Sequence, residues 1–171
     1  MVRSRRTCII VLVAVALGVV VIDRLTKAWA IDTLLPRLQP GGAGPIPVIG
    51  SLVQFTYVEN SGAAFSIGTG QTWIFSIIAI VVAIVIIRFS RRLGSLWWSV
   101  AFGGLLGGLL GNLIDRLTRG SSPGLGTVVD FIAFPNFPVF NVADMCIVGS
   151  AILMVLLSLR GIEISGGARA T

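Results

Sequence analysis

Apolar residues gather into four stretches of this chain, Cys8–Ile22, Trp73–Ile87, Leu96–Ile114 and Val139–Leu159, with most polar residues in the segments between them. Runs of this length approach the ~20 residues needed to cross a ~30 Å hydrocarbon core. The pattern therefore predicts four transmembrane helices, the second borrowing a few residues at each end. Between the first two, residues 24–35 set Leu25, Ala28, Trp29, Ile31 and Leu34–Leu35 among polar positions, as in a helix that continues or lies along the interface. Seven prolines and glycines from Pro36 to Pro47 then break regular structure. From Leu52 to Val58 the period becomes two, with Val53, Phe55 and Tyr57 on one side and Gln54 and Thr56 on the other, which predicts a strand. Strands cannot lie bare in lipid, so a small β-rich segment, about 46–70, is expected to rest above the membrane. A Gly/Ser/Pro stretch at 120–126 precedes an apolar segment, Val128–Phe134, around Asp130. The chain reads as a single integral membrane domain over 1–171, an all-α bundle with a small β element outside the bilayer.

Composition agrees, with 55% hydrophobic and 12% charged residues. The net charge of +6 suggests nucleic acid until the charges are placed. Arg3, Arg5 and Arg6 precede the first span, Arg88, Arg91 and Arg92 separate the second from the third, and Arg160 and Arg169 follow the fourth. Basic loops mark the cytoplasmic side, which predicts an N-in/C-in topology with the two long connections outside and no nucleic-acid partner. Trp97 and Trp98 at one membrane boundary and Trp73 at the other suit aromatic belts. Cys8 and Cys146 fall near opposite ends of their helices, so no disulfide is expected. Three arginines, an apolar run and Ala28-Trp29-Ala30 look like a signal peptide. Asp23, Arg24 and Lys27 interrupt that pattern, and an uncleaved first helix is the reading adopted.

The chain has no histidine. That excludes a Ser/His/Asp triad, a Cys/His pair and an HExxH zinc site. No cofactor or metal is expected, because no cluster of ligands stands out. Attention falls on acids beside hydrocarbon, where a carboxylate costs from roughly 2.5 to over 10 kcal/mol. Asp115 closes the third span and Asp144 lies early in the fourth. Each has an asparagine three residues before it, Asn112 and Asn141, on the same helix face. The third span runs outward and the fourth inward, so both acids fall at similar depth. Two carboxylates sharing a site hold one proton between them, and can then activate water and protonate a leaving group. Helix dipoles favour Asp144 as the base and Asp115 as the proton holder, while Arg116 alongside favours the reverse. Simpler roles stand beside this one: Asp115 as a helix-end partner of Arg116, Asp144 as a helix cap, and Asp23–Arg24 as a structural pair. Gly103, Gly104, Gly107, Gly108 and Gly111 form a double small-residue ladder that predicts close helix packing and a fixed position for Asp115.

Five blocks carry a further signal: Asp23-Arg24-Leu25-Thr26-Lys27, Asn60-Ser61-Gly62-Ala63-Ala64-Phe65, Gly111-Asn112-Leu113-Ile114-Asp115-Arg116, Val128-Val129-Asp130-Phe131 and Phe140-Asn141-Val142-Ala143-Asp144. Together, and in this order, they resemble lipoprotein signal peptidase (signal peptidase II). The resemblance implies a bacterial inner-membrane aspartyl protease that cuts signal peptides from prolipoproteins before a diacylglyceryl-modified cysteine. It implies four transmembrane helices with an extracytoplasmic β-cradle, a catalytic dyad of Asp115 and Asp144, and a substrate pocket lined by Asn60, Asn112, Arg116 and Asn141. Asp23, Gly62, Asp130 and Ala143 are expected to support the site. Membrane lipid and globomycin-type inhibitors are the other implied partners, with a monomer expected. Arg24 departs from the family, where glutamine is common. Two rival functions remain open. A proton-coupled transporter also keeps acids in its membrane helices but would not cut substrate in detergent. A non-enzymatic assembly protein would tolerate Asp-to-Asn changes.

Overall fold

The computed structural model describes residues 2–62, 72–120 and 124–167. Among these, four helices are long and apolar enough to cross a membrane: α1 (Arg5–Thr33), α2 (Thr72–Ser90), α3 (Leu96–Thr118) and α4 (Val142–Leu159). Three antiparallel strands, β1 (Ile46–Ile49), β2 (Val53–Asn60) and β3 (Val128–Ala133), form one sheet in the order β1-β2-β3.

Ser4 caps α1, its hydroxyl accepting from the Thr7 N–H at 3.2 Å. The helix runs past Ile22 because nothing breaks it before Pro36, and Asp23 and Lys27 form an i,i+4 pair inside it. At 1.5 Å per residue it is roughly 43 Å long, enough to clear the hydrocarbon and carry its last turns to the sheet. Its buried residues, Cys8, Leu12, Ala16, Asp23, Lys27 and Ala30, form one stripe, while Ile10, Val13, Leu17, Val21 and Leu25 face outward.

That stripe packs on α3, the central helix, which also contacts α4 and α2. The glycine ladders explain the fit. A Cβ at Gly103 would meet the Leu12 carbonyl oxygen at 2.6 Å, and one at Gly107 the Ala16 carbonyl oxygen at 2.7 Å, so this ladder seats α1. Gly104 and Gly108 seat α4, where a Cβ at Gly108 would lie 2.5 Å from the Ala143 carbonyl oxygen. Only glycine permits such backbone approach.

At one end Cys8, Leu12, Ile86, Leu93, Trp98, Phe102 and Leu157 form an apolar core. The N-terminus, the α2–α3 loop and the segment after α4 meet there, with Arg3 N–H donating to Gly94 and Gly94 N–H to Ile164, both at 2.9 Å. At the other end the sheet covers the end of α1 through Ala30, Leu34, Val129 and Phe131. Trp29, Phe55 and Phe131 meet edge to face there, with centroids 5.3 to 6.2 Å apart. The chain leaves β3, turns through Asn136 in the left-handed region (φ 57°), and returns to bridge Ile132 with Phe140 before entering α4. Of the expected β-rich segment, 63–70 lies outside the described residues.

Candidate active site

Two turns of local chemistry fix the positions of the acids. Asn141 caps α4, its side-chain oxygen accepting from the Asp144 N–H at 3.0 Å, while an Asp144 oxygen accepts from the Asn141 N–H at 3.1 Å. This reciprocal cap places Asp144 at the third helical position, half-buried, rather than deep in an apolar run. The fourth helix starts at Val142 instead of Val139 because Pro138 and the cap set its beginning. Asp115, by contrast, lies within α3, which continues to Thr118, and it is fully buried.

The two acids have different surroundings. Asp115 forms ion pairs with Arg24 and, at 3.0 Å, with Lys27, and accepts from the Val129 N–H at 3.3 Å. Lys27 also pairs with Asp23 at 2.8 Å, and Asp23 accepts from the Ala143 N–H at 3.2 Å. A Cβ at Gly111 would meet that Asp23 carboxylate at 2.5 Å. Asp23, Arg24, Lys27 and Asp115 thus make a closed, charge-balanced cluster that ties the first turn of α4 to α1 and α3.

Asp144 belongs to a second group. Asn112 donates to it at 2.8 Å. Asn141 Nδ2 donates to Asp130 at 2.6 Å and to Asn112 Oδ1 at 3.1 Å. Asn60 donates to the other Asp130 oxygen at 2.8 Å, and the Gly62 N–H holds the Asn60 oxygen at 2.8 Å. Gly62 has φ +90°, and a Cβ there would meet the Phe75 ring at 2.6 Å, so glycine is required. Burial and the nearby charge of Asp144 push the Asp130 carboxyl up to about 7, against the lowering effect of its Asn60 and Asn141 hydrogen bonds. Arg116 completes this group. Its guanidinium lies 5.4 Å from the Phe75 ring centroid, close enough to Asp144 and Asp130 to feel both charges, and its Nε has no hydrogen-bond partner among the described residues.

The structure therefore joins Asp144 to Asp130, through Asn141, where similar depth on opposed spans suggested Asp115. Asp115 faces two cations instead. In the alternative role read for Asp115, as a helix-end partner of Arg116, the partners are instead Arg24 and Lys27, and the structural role read for Asp23 and Arg24 is filled by their pairs with Lys27 and Asp115. Asn60, Gly62, Asn112, Arg116, Asn141, Asp130 and Asp144 all converge, with Asp23 and Ala143 one contact away. Ala63, Ala64 and Phe65 lie outside the described residues. Lys27 had no role assigned from sequence, although an i,i+4 Asp–Lys pair on an otherwise apolar helix was a legible signal. A cavity of about 580 Å³ at the opposite end of the bundle contains a single acid, Glu163, and so lacks a carboxylate pair.

The family described as Signal peptidase (SPase) II matches residues 15–160. The chain belongs to the signal peptidase II family. A lipoprotein signal peptidase of Mycobacterium avium (strain 104) is 46% identical over 152 residues, covering 89% of this chain and 80% of that protein. One from Leifsonia xyli subsp. xyli (strain CTCB07) is 45% identical over 159 residues, covering 92% and 71%. A bacterial membrane enzyme solved by the in meso method at 2.3 Å superposes with a TM-score of 0.73 at 30% identity, covering 94% of each chain. Among the members of the signal peptidase II family, this chain is thus a multi-pass membrane protease whose four apolar helices carry a three-stranded sheet.

Proposed function

We propose that this signal peptidase II removes signal peptides from diacylglyceryl-modified prolipoproteins by cutting before the lipidated cysteine, with Asp130 and Asp144 as its catalytic pair. The observation that carries the assignment is that these two acids share Asn141, and that burial and the charge of Asp144 poise Asp130 near neutrality. Two carboxylates in one site hold one proton between them. Asp144, its oxygens held by Asn112 and the Asn141 N–H at a helix N-terminus, is the ionised member and draws a proton from water. The water attacks the scissile carbonyl carbon. Asp130 gives its proton to the departing nitrogen, and Asp144 keeps the proton taken from water until the pair resets. Arg116, with donors to spare, faces the substrate carbonyl. The charge-balanced Asp115 cluster holds the site together and does not touch substrate.

The reading extends to place. Arg3, Arg5, Arg6, Arg88, Arg91, Arg92 and Arg160 lie around the end of the bundle remote from the site. The positive-inside rule then favours both termini in the cytoplasm of a bacterium and the site at the outer face of its inner membrane. A signal peptide entering as an apolar helix would present its scissile bond where it leaves hydrocarbon, and cyclic lipopeptides of the globomycin type would compete for that position.

The test is cleavage of a diacylglyceryl-modified prolipoprotein by purified protein in detergent, beside Asp130→Asn, Asp144→Asn and Asp115→Asn. We expect the first two to be inactive yet folded, and Asp115→Asn to be less stable while retaining measurable cleavage. An inactive, folded Asp115→Asn beside an active Asp130→Asn would restore the Asp115–Asp144 pair. If all three cut, the carboxylates are structural.

A further inference from the structure

Lys27 is the buried charged group to which this chemistry gives no task. It is 1% exposed, and its ammonium makes three short contacts: Asp23 at 2.8 Å, Asp115 at 3.0 Å and Asn112 Oδ1 at 2.9 Å. We propose that Lys27 is a positioning residue for Asp144, acting through the side-chain amide of Asn112. The proposal rests on the reading of Asp144 given above.

An ammonium has three donors and no acceptor. Whatever lies against Lys27 must therefore be oxygen. Asn112 Oδ1 takes that place and also accepts from Asn141 Nδ2 at 3.1 Å. With the oxygen so fixed, the amide nitrogen must face the other way, where it donates to Asp144 at 2.8 Å. A flipped amide would set its NH2 against two donors and its oxygen against a carboxylate. Without Lys27, one of the two contacts that forbid the flip is gone, and Asn112 can turn its oxygen toward Asp144.

Charge balance accounts for the contacts of Lys27 with Asp23 and Asp115 but not for its third, to the neutral amide of Asn112. What Lys27 alone supplies is a donor aimed at Asn112 from α1, so the first helix sets the geometry of a carboxylate on the fourth.

A double-mutant cycle decides the matter. Cleavage of a diacylglyceryl-modified prolipoprotein by the full-length protein in detergent is measured for Lys27→Met, Asn112→Ala and the pair combined, with kcat, KM and melting temperature recorded for each. We expect each single change to lower kcat roughly 10- to 100-fold with KM within about twofold, and the combined variant to lose no more than Asn112→Ala. Multiplying effects, or a Lys27→Met enzyme within about twofold of wild type, would overturn the proposal. If Lys27→Met does not fold, Lys27→Met/Asp115→Asn removes one charge of each sign and is compared in the same cycle with Asp115→Asn. Asp130→Asn and Asp144→Asn run alongside: cleavage by the first defeats the pair assignment alone, and cleavage by the second defeats both ideas.

Discussion

Gly108→Ala tests how tightly the glycine seam fixes the site. A Cβ at this position would lie 2.5 Å from the Ala143 carbonyl oxygen and 2.8 Å from Ile147 Cγ1. Carbon and oxygen come no nearer than about 3.3 Å without strain, so the start of α4 must retreat by about 0.8 Å. That retreat acts one residue from Asp144. Overpacking of this kind costs about 1–3 kcal/mol, and alanine's better helix propensity returns about 1, leaving a net loss of about 0–2 kcal/mol. Activity should suffer more, because a 1 Å misplacement in a catalytic site costs about 100-fold. The expected result is a fall in kcat of roughly 10- to 100-fold with a small drop in melting temperature. Gly149→Ala is the control: it lies on α4, the helix that Gly108 seats, a Cβ there meets nothing within 4 Å, and it should leave kcat unchanged while raising the melting temperature. Both are measured by cleavage of a lipidated prolipoprotein in detergent and by thermal melting. A Gly108→Ala enzyme with wild-type kcat would refute the reasoning, as would equal losses in the two variants.

Two further outcomes follow from the titrating groups. Asp130, whose carboxyl moves from an ordinary 3.8 to about 7, holds an extra proton in the folded protein between those values. Its contribution to stability is therefore full below about pH 4 and is lost as the pH rises through about 7, and Asp130→Asn should flatten that slope in thermal melts. Arg119, at the end of α3, lies 3.7 Å from the β2 residue Glu59, whose side chain is 50% exposed, a pair worth under about 1 kcal/mol. Glu59→Gln should leave kcat unchanged and shift stability by no more than that. It should also lower the Tyr57 hydroxyl from about 12 while burial keeps it above 10, which ultraviolet titration reads directly.

The parts of the fold that depend on neighbours in sequence were open to reading. Apolar runs marked the four helices, the two-residue alternation marked β2, and three-residue spacing placed Asn112 with Asp115 and Asn141 with Asp144. The continuation of α1 to Thr33 was one of two readings open for residues 24–35, because Asp23 and Lys27 look like an exit from the membrane until their partners are known. β3 was hidden because its first four residues are all buried, so it lacks the alternation of a half-exposed strand. That Asn141 links Asp144 to Asp130 rather than to Asp115 was illegible for a different reason. It depends on β3 folding back against β2 and on Phe140 returning to Ile132, contacts that no local spacing encodes. Arg24, the departure from the family pattern, draws its meaning from Asp115, 91 positions away.

Asn141 does two jobs with one side chain. It begins α4, and it links Asp130 on the sheet to Asn112 on the central helix. The network that the proposed pair relies on therefore cannot exist before the last helix has formed its first turn, the sheet has closed and the third helix is in place. On the proposed assignment, a half-inserted chain would have all the acids and none of the activity. For a membrane protease built this way, completion of its own assembly would be the safety catch.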